Sequence, residues 1–175
     1  PNAVFHGGTA IWRCYGGKRF SEDIDVYLPG KSNINSFFEK LQQKGFKILK
    51  KRVKENSLYS TLEFNRIQVR FEAIFAKKSP VIRDYEMVDG NLMAVFTLTP
   101  DDLLKEKISA CMARGKARDL YDIFFLLKYA RNAPRGLSKI KDAKITDEPN
   151  LRATILTGAI PSARQMKEYI ERWEK

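Results

Sequence analysis

The sequence predicts an α+β protein, with a strand-rich core over residues 1–98 and a helical subdomain over residues 99–175. Two observations carry that division. Up to Leu98 the apolar residues fall in short runs separated by turn signals, Asn65-Arg66 and Asp89-Gly90, with two helical patterns among them. From Thr99-Pro100 onward they recur at three- and four-residue spacing. A chain of 175 residues is long enough to bury a sizeable core.

Taken in order, a strand over residues 3–5 runs into Gly7-Gly8, and a glycine pair lets the backbone turn sharply and bring its N–H groups close to a phosphate. Thr9 adds a hydroxyl, and residues 10–14 open a helix whose N-terminus favours an anion. Asp23 and Asp25 flank Ile24 and lead into Val26, Tyr27 and Leu28. On a strand, side chains two apart share a face, so both carboxylates project together while Ile24 and Val26 point to the core. Carboxylates held side by side repel unless a cation lies between them, and Mg²⁺ takes such oxygen ligands.

Pro29-Gly30 marks a turn, and Ser32-Asn33 is read as the cap of a helix ending at Gly45, with Ile34, Phe37, Phe38 and Leu41 on its apolar face. Residues 46–54 carry five cations, Lys50, Lys51 and Arg52 among them. Two readings stand together: an edge strand protected by lysine, and a strip that follows an RNA backbone. Residues 58–64 and 67–75 form a hairpin across Asn65-Arg66. In its second strand Ile67, Val69, Phe71, Ala73 and Phe75 face one way, and Gln68, Arg70, Glu72 and Ile74 the other. Glu72 reads either as a site carboxylate, with Glu63 as the weaker substitute, or as half of a cross-strand ion pair. Residues 79–98 read as strand, turn and strand.

Thr99 is an N-cap, with Pro100 at the first helical position and acids in the first turn. That helix runs to about Arg114 before Gly115, and a second covers 117–131. Lys107 lies mid-helix, and Arg114, Lys116, Arg118, Asp119 and Asp122 cluster at the junction. Asp119 and Asp122 share a helix face, which on spacing alone gives a capped start with local ion pairs. Residues 132–149 read as a polar linker with a short helix, followed by helices over 150–156 and 162–174.

Thirty-two Lys and Arg against 21 Asp and Glu leave a formal net charge of +11, which points to a polyanionic partner or, alternatively, to a surface suited to solubility. No apolar run is long enough to span a membrane, so the expectation is a soluble, intracellular and cytoplasmic protein. Opening at Pro1 without Met, the chain is read as lacking a native N-terminal segment. Cys14 and Cys111 lack metal-ligand spacing and are expected as buried free thiols. His6 is read as a hydrogen-bond partner of the glycine loop or a group near a nucleotide.

A glycine pair followed by Asp-x-Asp resembles the DNA polymerase beta-like nucleotidyltransferases. More narrowly, Gly7-Gly8-Thr9-Ala10, the run from Arg19 through Phe20, Ser21, Glu22, Asp23 and Ile24 to Asp25, and then Lys107 with Arg118-Asp119-Leu120-Tyr121-Asp122 resemble the AbiEii-type enzymes, toxins of toxin–antitoxin and abortive-infection systems. The resemblance spans roughly residues 4–130 and implies a nucleotidyltransferase-like mixed sheet with flanking helices. It implies transfer of a nucleoside monophosphate from an NTP to an acceptor hydroxyl, with two Mg²⁺ ions held by Asp23 and Asp25 and completed by Glu72. Gly7, Gly8 and Thr9 would position the phosphates, and Ser21 would present Asp23 through a local turn. Lys107 would touch the phosphates while Asp119 or Asp122 holds it or the base; spacing does not decide which. Arg19 is read evenly as a phosphate ligand or a surface charge.

The resemblance further implies tRNA as acceptor and a protein antitoxin as partner, with Lys50, Lys51, Arg52, Arg114, Lys116 and Arg118 as a weak RNA-binding set. A small cationic acceptor such as an aminoglycoside fits the basic charge poorly. Protein nucleotidylylation and a non-catalytic RNA- or antitoxin-binding relic of the fold are the other readings.

Overall fold

A computed structural model describes residues 3–131 and 134–173, and the chain divides into two units that interleave along the sequence. One holds the chain up to Ala10 together with Glu22–Leu98; the other holds Ile11–Ser21 together with the chain from Thr99 onward.

The first unit is built on β1 (Val4–His6), β2 (Ile24–Leu28), β3 (Lys47–Val53), β4 (Ser57–Phe64), β5 (Ile67–Phe75), β6 (Val81–Glu86) and β7 (Leu92–Thr97). They form one seven-stranded sheet in the order β3-β4-β5-β2-β1-β7-β6. β2 and β5 run parallel, as do β1 and β7, while the remaining neighbours are antiparallel. This is the mixed sheet of an α+β fold. The alternation in β5 puts Phe71 and Ala73 on the buried face, where they pack with Val26, Leu28, Leu58 and Leu62 and with Ile34 and Phe38 of helix α2 (Ile34–Gln43). Each such large side chain contributes about 1.5–3 kcal/mol on burial. The opposite face of β5 carries Arg70 and Glu72.

Between β4 and β5, Asn65 and Arg66 both have positive φ, 51° and 66°, the pattern of a type I′ hairpin turn. The expected cap of α2 is not made: Asn33 is left-handed, with φ 70°, and forms no side-chain cap hydrogen bond. Helix α1 spans Gly7–Tyr15 and so begins three residues earlier than the sequence predicts, at the glycine pair itself. Its first turn counts with the first unit and its remainder with the second.

The second unit contains α3 (Pro100–Arg114), α4 (Ala117–Leu126), α5 (Glu148–Arg152) and α6 (Ala163–Trp173). Leu104, Ile108, Leu120, Ile123, Met166 and Ile170 are buried on their inner faces. Thr99 caps α3, its hydroxyl accepting from the Asp102 N–H at 3.2 Å. Gly115 ends α3 in the left-handed region at φ 60°, where a Cβ would strike the Lys144 carbonyl oxygen. Helix α4 is shorter than its periodicity predicts, tightening into a 3₁₀ turn over Leu127–Tyr129.

Two expectations for the C-terminal part are corrected. Asn132 and Ala133 lie outside the described residues, but the chain beyond them is not a linker: Leu137 and Ile140, on a 3₁₀ turn, are fully buried. The helix expected over 150–156 is α5, which starts at Glu148 because Pro149 suits a first turn and frees the chain beyond it. Ile155 instead forms an antiparallel bridge with Arg19, flanked by hydrogen bonds from the Phe20 N–H to the Thr154 carbonyl (2.7 Å) and from the Leu156 N–H to the Lys18 carbonyl (2.8 Å). Ile11–Ser21 is thereby stitched into the second unit. Both cysteines are free thiols; Cys111 is buried, as expected, whereas Cys14 is only half-buried. Burial pushes the Cys111 thiol up to about 11. Among the described residues no helix is long and apolar enough to cross a membrane.

Candidate active site

In the first unit the strand register sets the site. β1 pairs His6 with Asp25 on β2, and β2 pairs Asp25 with Glu72 on β5. On β4, Tyr59 lies opposite Glu72. A row thus crosses the sheet as His6, Asp25, Glu72 and Tyr59. Asp25 also explains why glycine must follow β1: Gly7 has φ 71°, and a Cβ there would collide with Asp25 Oδ2. The first turn of α1 and the Asp25 carboxylate therefore meet at a position where only a hydrogen fits.

Thr9 is buried, and its hydroxyl donates to the main-chain carbonyl of Asp23. That contact makes it a brace for the coil preceding β2. Ser21 is half-buried on the same coil. The side chain of Asp23 is taken by Arg70, whose Nε and Nη2 each donate to one carboxylate oxygen at 2.6 Å. Arg70 also lies 3.6 Å from Glu22. The sequence reading did not single out Arg70. Its signal was present: two residues from Glu72 on one strand, it had to share the carboxylates' face.

Asp23, Asp25 and Glu72 bring hard oxygen donors to one end of the sheet. Among the described residues, however, no group of three His, Cys, Asp or Glu side chains stands ready to hold a metal. Asp23 is committed to Arg70, and Asp25 with Glu72 is left as the closest carboxylate pair in the register. The Glu72 carboxyl is raised above the ordinary glutamate range by burial and then by the charges of Asp25 and Asp23, with Arg70 and His6 opposing. Surplus negative charge and oxygen chemistry both fit a divalent cation. Glu63, the substitute, pairs instead with Lys47 at 3.4 Å. His6 stacks on Tyr27, with ring centroids 4.2 Å apart.

The second unit assembles an ionic cluster. Asp119 and Asp122 are 0% and 2% exposed. Arg19 forks onto Asp122 through Nε (3.0 Å) and Nη2 (2.9 Å), and Arg114 forks onto Asp119 through Nε and Nη2 (both 2.7 Å). Lys107 Nζ lies 2.7 Å from Asp122 and 3.5 Å from Asp119. Burial pushes the Asp122 carboxyl up, but Lys107 and then Arg19 outweigh it and hold it low. Both aspartates hold the lysine, Asp122 at the shorter distance. Arg19 is not a surface charge: at 6% exposed it is a buried partner of Asp122.

The basic residues separate by surroundings. Lys51 donates to Asn35 at 2.9 Å and lies 4.5 Å above the Phe38 ring, on the α2 side of the sheet. Lys50 and Arg52 line a concavity of about 290 Å³ with Lys54, Ser57 and Tyr59. Lys116 lies 3.5 Å from Asp147, Arg114 is bound to Asp119, and Arg118 is exposed.

The family model described as nucleotidyl transferase AbiEii toxin, type IV toxin–antitoxin system, matches residues 1–174. No curated protein sequence matches the chain. Among solved structures, a candidate nucleotidyltransferase from Helicobacter pylori is similar at TM-score 0.67 and 20% identity, covering 98% of this chain and 86% of that one. The protein JHP933 from Helicobacter pylori is similar at TM-score 0.63 and 20% identity, covering 98% and 83%. At that identity the likeness shows the fold.

Proposed function

The chain belongs to the AbiEii nucleotidyltransferase toxins of type IV toxin–antitoxin systems, and from that premise we propose that it moves a nucleoside monophosphate from an NTP to the 3′ hydroxyl of tRNA. The acceptor oxygen bonds to the α-phosphorus and pyrophosphate leaves. The observation that carries the reading is the contact of Gly7 with Asp25, beside Glu72. It sets a tight helix N-terminal turn, suited to a triphosphate, against a carboxylate pair.

Alignment and charge neutralisation are what such a transfer requires. Gly7 and Gly8 keep the phosphate approach free of side chains. Thr9 fixes the Asp23 coil from behind. Glu72, with its raised affinity for a proton, is placed to take one from the acceptor hydroxyl. Lys107, held by Asp122 and Asp119, is the second unit's proposed phosphate contact. Asp25 and Glu72, joined by Asp23 when Arg70 releases it, would hold Mg²⁺, which neutralises triphosphate charge and lowers the acceptor hydroxyl's pKa. The setting is the cytoplasm, with a protein antitoxin as counterpart.

The test is incubation with total tRNA, Mg²⁺ and each α-labelled NTP, with Asp25→Ala alongside. Label in tRNA from wild type and none from the variant is expected. Label in protein would replace the acceptor. No label, together with no rise in Tm under millimolar Mg²⁺ and NTP, would identify a non-catalytic relic.

A further inference from the structure

The row of site residues in the first unit extends past Tyr59 to the sheet edge. β3 pairs Arg52 with Tyr59 and Lys50 with Thr61. Leu58, Ser60 and Leu62 are buried on the α2 side, so Tyr59 and Thr61 face the other way, as do Lys50 and Arg52 opposite them. That is the face of Glu72, Arg70 and Asp25. Lys51, one residue out of phase, is turned to α2 and excluded from it. Lys54 completes the concavity beyond the strand end.

We infer that this β3–β4 concavity is the track along which the single-stranded 3′ end of the acceptor RNA reaches the carboxylates. Its phosphates lie on Lys50, Arg52 and Lys54, and a base lies against Tyr59. Three observations favour a nucleic acid strand. Cations two residues apart on a strand are separated by about 7 Å, which matches the stride of successive phosphates. Among the described residues none of these three is paired with a carboxylate, whereas Lys47 on the same strand is. The concavity also includes an aromatic ring, the usual platform for an unpaired base, already flanked by Lys50 Nζ at 5.2 Å from its centroid. The track ends one strand from Glu72, so a strand held there delivers its terminus to the site. The inference rests on reading Asp25 and Glu72 as the reaction centre.

Binding of a 5′-fluorescein single-stranded RNA to the full chain, without NTP, is read by anisotropy across a salt series. Lys50→Ala/Arg52→Ala/Lys54→Ala should weaken binding at least about tenfold and flatten the log–log salt slope by about 2, near 0.7 per lost phosphate contact. Lys40→Ala/Lys44→Ala/Lys47→Ala, equal in charge removed, should leave the slope within about 0.5 of wild type. Tyr59→Leu should lower affinity severalfold with the slope unchanged. Circular dichroism melts confirm that each variant is folded. Equal loss in both triple variants would overturn the track, as would wild type that binds no RNA or prefers an acidic peptide. Selective loss of RNA binding in a protein that labels no RNA with any NTP would keep the track and overturn the transfer reaction.

Discussion

Glu72 and Asp122 are two buried or half-buried carboxyls with opposite histories. Glu72 is raised above the ordinary 4.5, so the folded chain holds its proton more tightly than the unfolded chain. The stability this supplies is complete below pH 4.5 and is lost as pH rises through the folded value. Glu72→Gln should therefore raise the unfolding free energy at pH 7, by up to about 1 kcal/mol after solvent screening, and change nothing below pH 4. Identical melts at pH 7 would dismiss burial and like charge as costs of the ionised Glu72. Asp122 is lowered from the ordinary 3.8, so its contribution is present above that value and is lost as pH falls through the folded one. Removing its partner is costly: Lys107→Met should reduce unfolding free energy by about 3–5 kcal/mol in urea, since it leaves a buried charge underpaired. A loss under 1 kcal/mol would mean that Arg19 alone satisfies Asp122. The sequence showed that Asp23, Asp25 and Glu72 were available and that Asp119 and Asp122 share a face. It did not show Arg70 on Asp23 or Arg19 on Asp122, because Asp23, which the pattern puts on the strand, sits in the coil before β2 where Arg70 reaches it, and the second pair joins residues 103 apart.

At the scale of elements, local chemistry was the legible part. Thr99-Pro100 starts a helix, Gly115 stops it, and Asn65-Arg66 turns a hairpin, because each depends only on neighbouring residues. The turn is also improvable. Arg66 at φ 66° carries a Cβ in the left-handed region, which costs about 1 kcal/mol relative to a residue at ease there. Arg66→Gly makes the favoured Asn-Gly pair and should stabilise the first unit by about 0.5–1 kcal/mol in chemical denaturation. A destabilised variant would show that the Arg66 side chain contributes more than its backbone costs. Helix α1 starts three residues before the expected position, at Gly7, which reads in the sequence as part of a sharp turn. The positive φ of Gly7 is what brings the first turn against Asp25. The linker expectation failed because Leu137 and Ile140 are isolated apolar residues whose burial depends on distant helices.

At the scale of the whole molecule, the strand-rich and helical halves were legible from periodicity, and the place of Ile11–Ser21 was not. No pattern in eleven residues announces that they close a unit formed by the far end of the chain. The consequence is measurable. A fragment comprising residues 99–175 lacks Arg19 and the strand that bridges Ile155, so it should show no cooperative melt alone. Adding a peptide of residues 11–21 should restore one. A fragment that melts cooperatively without the peptide would show that α3, α4 and α6 carry the fold unaided.

The pairing of Arg19 with Asp122 also has a meaning during synthesis. Arg19 leaves the ribosome 103 residues ahead of its partner, and at roughly 5–20 residues per second that is a wait of about 5–20 s. Through that interval the sheet can form while Ile11–Ser21, between its first two strands in sequence, has nothing to dock on. A chain truncated after the seventh strand would hold the sheet but no partner for Arg19, so the second unit is completed only once α4 has been made.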